Sequence, residues 1–303
     1  MILTAVLAGL LPSFLLVGLG GLVRNRLSEN AWTGLDRLNF EILFPALLFA
    51  AAAGRPMDLG LVAAIAPGVW AILTLGLAGG YLARRFGPES FLDFAGSWQT
   101  AWRFNTALGF VAVTTLPLAD AAMMAVVAGM AVPLANIFAV SALSRGGNLG
   151  LGATLRKVAL NPFLLASVAG VLVGISGWTP PALLMAPLHL LSQGAIPVAL
   201  LSLGATMDWR ALARLDAFSG VLVGVKLVLL PAVTLTVCLM LAAGPALTQI
   251  LVMFAALPTA SACHILAAAF GADRKLSATV VAQSTLISVA TLPFWIALTA
   301  FLT

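Results

Sequence analysis

Two short stretches hold most of the side chains with chemistry in a chain that otherwise offers little. Arg103, Asn105 and Thr106 fall together in "WRFNTALGF", and Pro258, Thr259, Ser261 and His264 in "LPTASACHI". A guanidinium stays protonated at any relevant pH and grips a carboxylate through two parallel hydrogen bonds. A histidine titrates near neutral pH. Proline removes a backbone donor and breaks the helix it interrupts. The set suits noncovalent capture of an anion. Cys263–His264 has no second titratable partner at helical spacing, and neither HExxH nor GxSxG occurs. No catalytic residue, cofactor or metal is expected.

The elements that carry these residues are apolar. The 303 residues are 62% hydrophobic and only 8% charged, against about 25% charged in a soluble domain. Spans of about 20 apolar residues fall at roughly 3–23, 36–54, 59–83, 94–118, 121–143, 160–177, 183–206, 216–241, 247–270 and 277–301. The expected fold is an all-α polytopic membrane protein of ten transmembrane helices. Its backbone polar groups must be satisfied by helix, neighbouring protein or a wet cavity. The N-terminal stretch reads as a retained span, because it has no basic n-region. Cys238 and Cys263 lie inside apolar spans and read as small buried hydrophobes.

The net charge of +5 reports membrane orientation, not nucleic-acid binding. Arg24, Arg26 and Arg37 surround the first connection, and Arg84 and Arg85 lie in the third. Arg145, Arg156 and Lys157 lie in the fifth, Arg210 and Arg214 in the seventh, Arg274 and Lys275 in the ninth. The even connections offer only Arg55. Basic loops stay cytoplasmic, so both termini are expected on the non-cytoplasmic side of the plasma membrane, in a bacterial cell the inner membrane.

The spans divide five and five. "FPALLF" (Phe44 to Phe49) is echoed by "IPVALL" (Ile196 to Leu201), "NTA" (Asn105 to Ala107) by "PTA" (Pro258 to Ala260), and the "VVA" at Val126 by the "VVA" at Val280. Five is odd, so the halves cross the membrane in opposite directions. Inverted repeats of this kind mark secondary transporters, whose broken helices meet near the bilayer midplane. Residues 1–143 and 160–303 are the expected repeats, joined by a cytoplasmic linker over 144–159. Spans four and nine are then the crossed, broken pair. Taken alone, Pro258 reads equally as an ordinary kink.

Arg103 is expensive inside a span, by about 2.5–3.5 kcal/mol on insertion scales. It serves either as a clamp for a substrate carboxylate or as a structurally paired charge. Glu41 in span two and Lys226 in span eight are candidates for coupling or gating. Either they pair with each other, or Glu41 sits at the interface. Gln283 and Ser284, with Thr285 and Ser288, form a polar stripe in span ten that lines a site or joins helices. Asn39 and Asn136 are weaker candidates of the same kind. Trp98 and Trp102 read as interfacial anchors.

The segments "NPFLLASVAGVLVGISG", "IPVALLSLGATM" and "LPTASACHILAAAFGADRKLSATVVAQSTLISVATLPFW" together resemble the auxin efflux carrier family in its prokaryotic branch. The resemblance covers essentially the whole chain. It implies a fold of the sodium/bile-acid symporter and sodium/proton antiporter type. Spans one, two, six and seven would form a scaffold, and spans three to five and eight to ten a transport domain moving like an elevator. It also implies an organic-anion substrate, a dicarboxylate such as malonate or another carboxylate, and a homodimer. Transport is either facilitative or secondary active, with a proton, carried by a residue such as Glu41 or His264, as the candidate coupling ion. Sodium-coupled symport is the alternative, disfavoured because spans four, nine and ten contain no Asp or Glu. A receptor or an intramembrane enzyme is the alternative of another class. Many relatives carry an asparagine shortly after "PTA", where this chain has Ala262 and Cys263.

Overall fold

The structure, a computed structural model, describes residues 2–54, 59–147, 152–153, 156, 159–206, 209 and 215–303. Arg55, Lys157, Arg210 and Arg214, together with half of the linker, lie outside the described residues. The regular structure of the described residues is helical, apart from one isolated antiparallel bridge between Phe104 and Thr259. Among the described residues, five helical stretches are long and apolar enough to cross a membrane: Leu59–Phe86, Ala121–Gly146, Ala182–Thr206, Ala217–Met240 and Arg274–Leu302. Pro162–Ser176 and Pro245–Ala256 are shorter apolar helices. The chain is a multi-pass membrane protein.

The helices are α1 (Ile2–Val23), α2 (Glu29–Leu38), α3 (Phe44–Ala53), α4 (Leu59–Gly80), α5 (Phe91–Trp98), α6 (Thr106–Ala112) and α7 (Ala121–Gly146). They continue as α8 (Pro162–Ser176), α9 (Ala182–Thr206), α10 (Ala217–Gly224), α11 (Leu230–Met240), α12 (Pro245–Ala256), α13 (Ala262–Ala269) and α14 (Arg274–Leu302). A π-helical turn, Asn39–Leu43, joins α2 to α3, and another, Val225–Leu229, joins α10 to α11. Pro45 and Pro231 follow these turns at the second position of the next helix.

Local chemistry starts the helices where the spans begin. Asn161 accepts from the backbone N–H of Phe163 and of Leu164 and so caps α8, with Pro162 as its first residue. Asp120, Asp216 and Asp273 cap α7, α10 and α14 in the same way.

Packing joins α3 to α8, α1 to α9, and α9 to α2 and α3. It also joins α4 and α5 to α7, α11 to α12, and α12 and α13 to α14. The α1–α9 contact is a backbone contact: a Cβ on Gly20 would collide with the carbonyl of Leu201, and one on Gly204 with that of Val17. Small residues permit such approach in a bilayer, where association relies on close packing. The largest buried apolar cluster lies among α4, α7 and α10 to α14, with Ile65, Leu73, Met124, Leu143, Leu222 and Phe254 almost wholly buried.

Candidate anion cavity at the helix crossover

The apolar stretches 94–118 and 247–270 are both broken, and the breaks meet. Helix α5 tightens into the 3-10 turn Gln99–Ala101 and then unwinds through Arg103 to Asn105 before α6. Helix α12 ends at Ala256 and the chain runs extended until α13. Pro258 explains the second stop, since the residue before a proline disfavours helix; Leu257 is extended, with ψ 142°. The unwound strands pair: Asn105 N donates to the carbonyl of Pro258 at 2.8 Å, and Ala260 N to that of Arg103 at 3.4 Å. Thr259 adds two bonds, its hydroxyl donating to the carbonyl of Thr100 at 2.9 Å and its N–H to Ser284 Oγ on α14 at 3.1 Å. Asn105 caps α6 by accepting from Leu108 N. Backbone freed from the helices is thereby satisfied within the protein. Gly76 of α4 makes room for the turn, as a Cβ there would lie 2.6 Å from the carbonyl of Ala101.

Arg103 lies at the centre, 6% exposed. Its Nη1 donates to Gln99 Oε1 at 2.9 Å and its Nη2 to Asn136 Oδ1 at 3.1 Å. Gln99 is fixed in turn, its amide donating to the carbonyls of Gly96 and Cys263. Both partners of the guanidinium are neutral, and two of its five N–H donors are used. The ion pairs among the described residues are Arg37–Glu41 and Arg274–Asp36, so no carboxylate neutralises Arg103. Lys226, buried in the π-turn before α11, donates to the carbonyl of Arg103 at 2.8 Å and lies 2.8 Å from the Phe104 ring centroid.

A cavity of about 260 Å³ opens beside Arg103. Its polar lining is Arg103, Asn105, Thr106, Asn136, Ser167 and Ser261. All but Ser167 come from the crossover and α7. The facing wall, from α3, α8 and α9, is apolar except for Ser167, led by Phe44, Leu47, Leu48, Phe163 and Ile196. The Phe163 ring centroid lies 5.9 Å from the Arg103 guanidinium. An apolar pocket with a few convergent polar groups is the usual form of a small-molecule site.

The crossover thus gathers Arg103, Asn105, Thr106, Pro258, Thr259 and Ser261. Four of them line the cavity, while Pro258 and Thr259 hold the crossing together behind it. His264 is fully buried on α13 and is absent from the lining. Ser284 supports Thr259, and Gln283 is buried beside it on α14. Glu41 and Lys226 do not pair. The Glu41 carboxylate is exposed and takes Arg37 Nε at 2.8 Å, one helical turn away, whereas Lys226 points into the crossover. Trp102 is no interfacial anchor: it is fully buried and donates to the carbonyl of Ala135. Cys238 and Cys263 are free and buried, as small hydrophobes are.

Gln99 was not legible as a partner of Arg103, although its position one helical turn before the arginine in an apolar span was a signal. Ser167, Phe163 and Phe44 reach the cavity from distant spans, and no local pattern marks them.

An apolar helical protein with a largely apolar cavity that holds a few convergent polar groups fits a membrane transport protein. The family model described as "Membrane transport protein" matches residues 148–296. A "Putative malonate transporter" of Rhizobium meliloti (strain 1021) is 28% identical over 295 residues, covering 93% of this chain and 92% of that one. An "Uncharacterized transporter" of Methanothermobacter thermautotrophicus is 27% identical over 141 residues, 46% of either chain. With the segments quoted above, these matches make the chain similar to membrane transport proteins. The family and these relatives are transporters, which sets the intramembrane-enzyme reading aside.

Proposed function

We propose that the protein carries a small organic anion, a dicarboxylate such as malonate or another carboxylate, across the plasma membrane by elevator-type alternating access. The observation that carries this reading is Arg103: a buried guanidinium on a cavity wall, held by neutral oxygens with no acid beside it. A buried charge without a partner is costly, and a carboxylate entering the cavity supplies the partner. The naming of a relative for malonate agrees with a carboxylate substrate.

In this reading ten crossings form two inverted repeats, with both termini on the non-cytoplasmic side. Support comes from the bridge between Phe104 and Thr259, which joins positions about one repeat apart in the broken fourth and ninth spans. Helices α1 to α3, α8 and α9 would be the scaffold, and α4 to α7 with α10 to α14 the moving body. The division of the cavity fits that motion. All polar groups but Ser167 ride with the substrate, while the facing wall is otherwise apolar and makes few directional bonds that sliding would break. A proton is the proposed coupling ion and a homodimer the proposed assembly. Sodium coupling has less support, since the Lys226 ammonium already occupies the Arg103 carbonyl at the crossover.

The test is uptake of labelled malonate, beside a panel of other carboxylates, into proteoliposomes under a proton gradient, a sodium gradient or neither. Saturable uptake of at least one carboxylate, driven by the proton gradient and indifferent to sodium, is expected. No uptake of any carboxylate under any gradient refutes the reading.

A further inference from the structure

Arg274 is the first residue of α14. A cation is disfavoured there, because the helix macrodipole puts partial positive charge at the N-terminus. Its guanidinium lies 2.8 Å from Asp36 Oδ2 on α2. Ser202 of α9 donates to the other oxygen of Asp36, and a second Arg274 nitrogen donates to Thr206, the last residue of α9. Thr33 of α2 lies 3.5 Å from Arg274 Nη1. One residue of α14 thus binds two helices of the other group. Asp36 is only 2% exposed and is the one buried carboxylate among the described residues.

The rest of this joint is apolar. Leu200 and Leu203 of α9 pack with Cys263 of α13 and with Ala278, Val281 and Ala282 of α14. Such a face can slide while exchanging one nondirectional contact for another. An ion pair with hydrogen bonds cannot, because its partners must part, and a separated buried charge is strongly unfavourable.

We infer that the Asp36–Arg274 pair, seated on Ser202 and Thr206, is a latch that holds the two helix groups in the arrangement seen and must open in each transport cycle. The inference rests on the elevator reading above. It assigns Asp36 and Arg274 to the balance between states, not to substrate binding.

The test measures the distance between the two groups in liposomes by pulsed electron spin resonance. Spin labels are placed at Leu183→Cys on α9 and Met240→Cys on α11, both exposed positions, in a background with Cys238 and Cys263 replaced by alanine. The parent is expected to show one dominant distance. Asp36→Asn/Arg274→Gln removes both charges together, so neither is left unpaired. It is expected to raise a second distance at least fivefold. Ser202→Ala, which leaves the ion pair intact, is expected to shift the ratio the same way by less, and it carries the test if the double variant fails to reach the membrane. Two distances whose ratio is unchanged in every variant overturn the latch and leave the elevator standing. A single unshifted distance in all of them overturns the latch and the elevator motion together. Uptake in the same vesicles reports transport separately.

Discussion

Replacing Arg103 by glutamine should remove most of the affinity for a carboxylate while leaving the protein folded in the membrane. Arg103 uses two N–H groups on Gln99 and Asn136 and retains others for a ligand. A hydrogen bond to a charged group contributes about 1.5–3 kcal/mol. Losing two from a bidentate grip therefore costs roughly 3 kcal/mol or more, about a hundredfold or greater in Kd. Arg103→Lys keeps the charge but not the planar fork, so a loss of about tenfold is expected. Folding should survive Arg103→Gln, because a neutral amide relieves an uncompensated buried charge and can still donate to one neighbouring oxygen. The assay is equilibrium binding of labelled malonate, or of whichever carboxylate the uptake panel selects, to purified parent and variants. Their size-exclusion profiles and melting temperatures are compared in parallel. Binding by a well-folded Arg103→Gln protein within threefold of the parent would refute the clamp.

Other positions separate the crossover from its surroundings. Pro258→Ala should cut the uptake rate at least about tenfold by favouring a continuous helix over the break; unchanged uptake would reduce the proline to a kink. Thr259→Val leaves the buried Thr100 carbonyl without its donor, and should lower stability by about 1–3 kcal/mol, read as a lower melting temperature in detergent. Gly76→Val drives a side chain into the carbonyl of Ala101, and should cost about 1–3 kcal/mol by overpacking, with uptake falling alongside. Glu41→Gln should leave both uptake and melting temperature unchanged, since its partner is an exposed arginine one turn away.

The legible parts of the fold were those that composition and helix chemistry decide locally. Apolar runs bounded by charges marked the helices, and Pro258 marked the second break. The first break was marked less directly, by Asn105 with its capping oxygen and by Arg103, a charge that no span carries without reason. Partnerships were harder. Glu41 and Lys226 looked like a pair because they carry opposite charge in apolar context, yet Arg37 sits one turn from Glu41 and a carbonyl exposed by the unwound backbone takes Lys226. Trp102 looked interfacial by residue type, whereas the turn at Gln99–Ala101 swings it into the core. The apolar wall of the cavity was invisible, because Phe44 and Phe163 are ordinary residues of apolar spans until tertiary packing sets them opposite Arg103.

The central claim is that the cavity beside Arg103 is where the carboxylate binds. Ser261→Cys, in a background with Cys238 and Cys263 replaced by alanine, puts a thiol on the cavity wall. The measurement is its alkylation rate by a membrane-impermeant reagent as malonate, or the carboxylate selected by uptake, is raised. The account predicts protection that saturates, with a midpoint near the KM for uptake, and its loss when Arg103→Gln is added. An alkylation rate unaffected by saturating, transported carboxylate would place the binding site elsewhere and contradict the account.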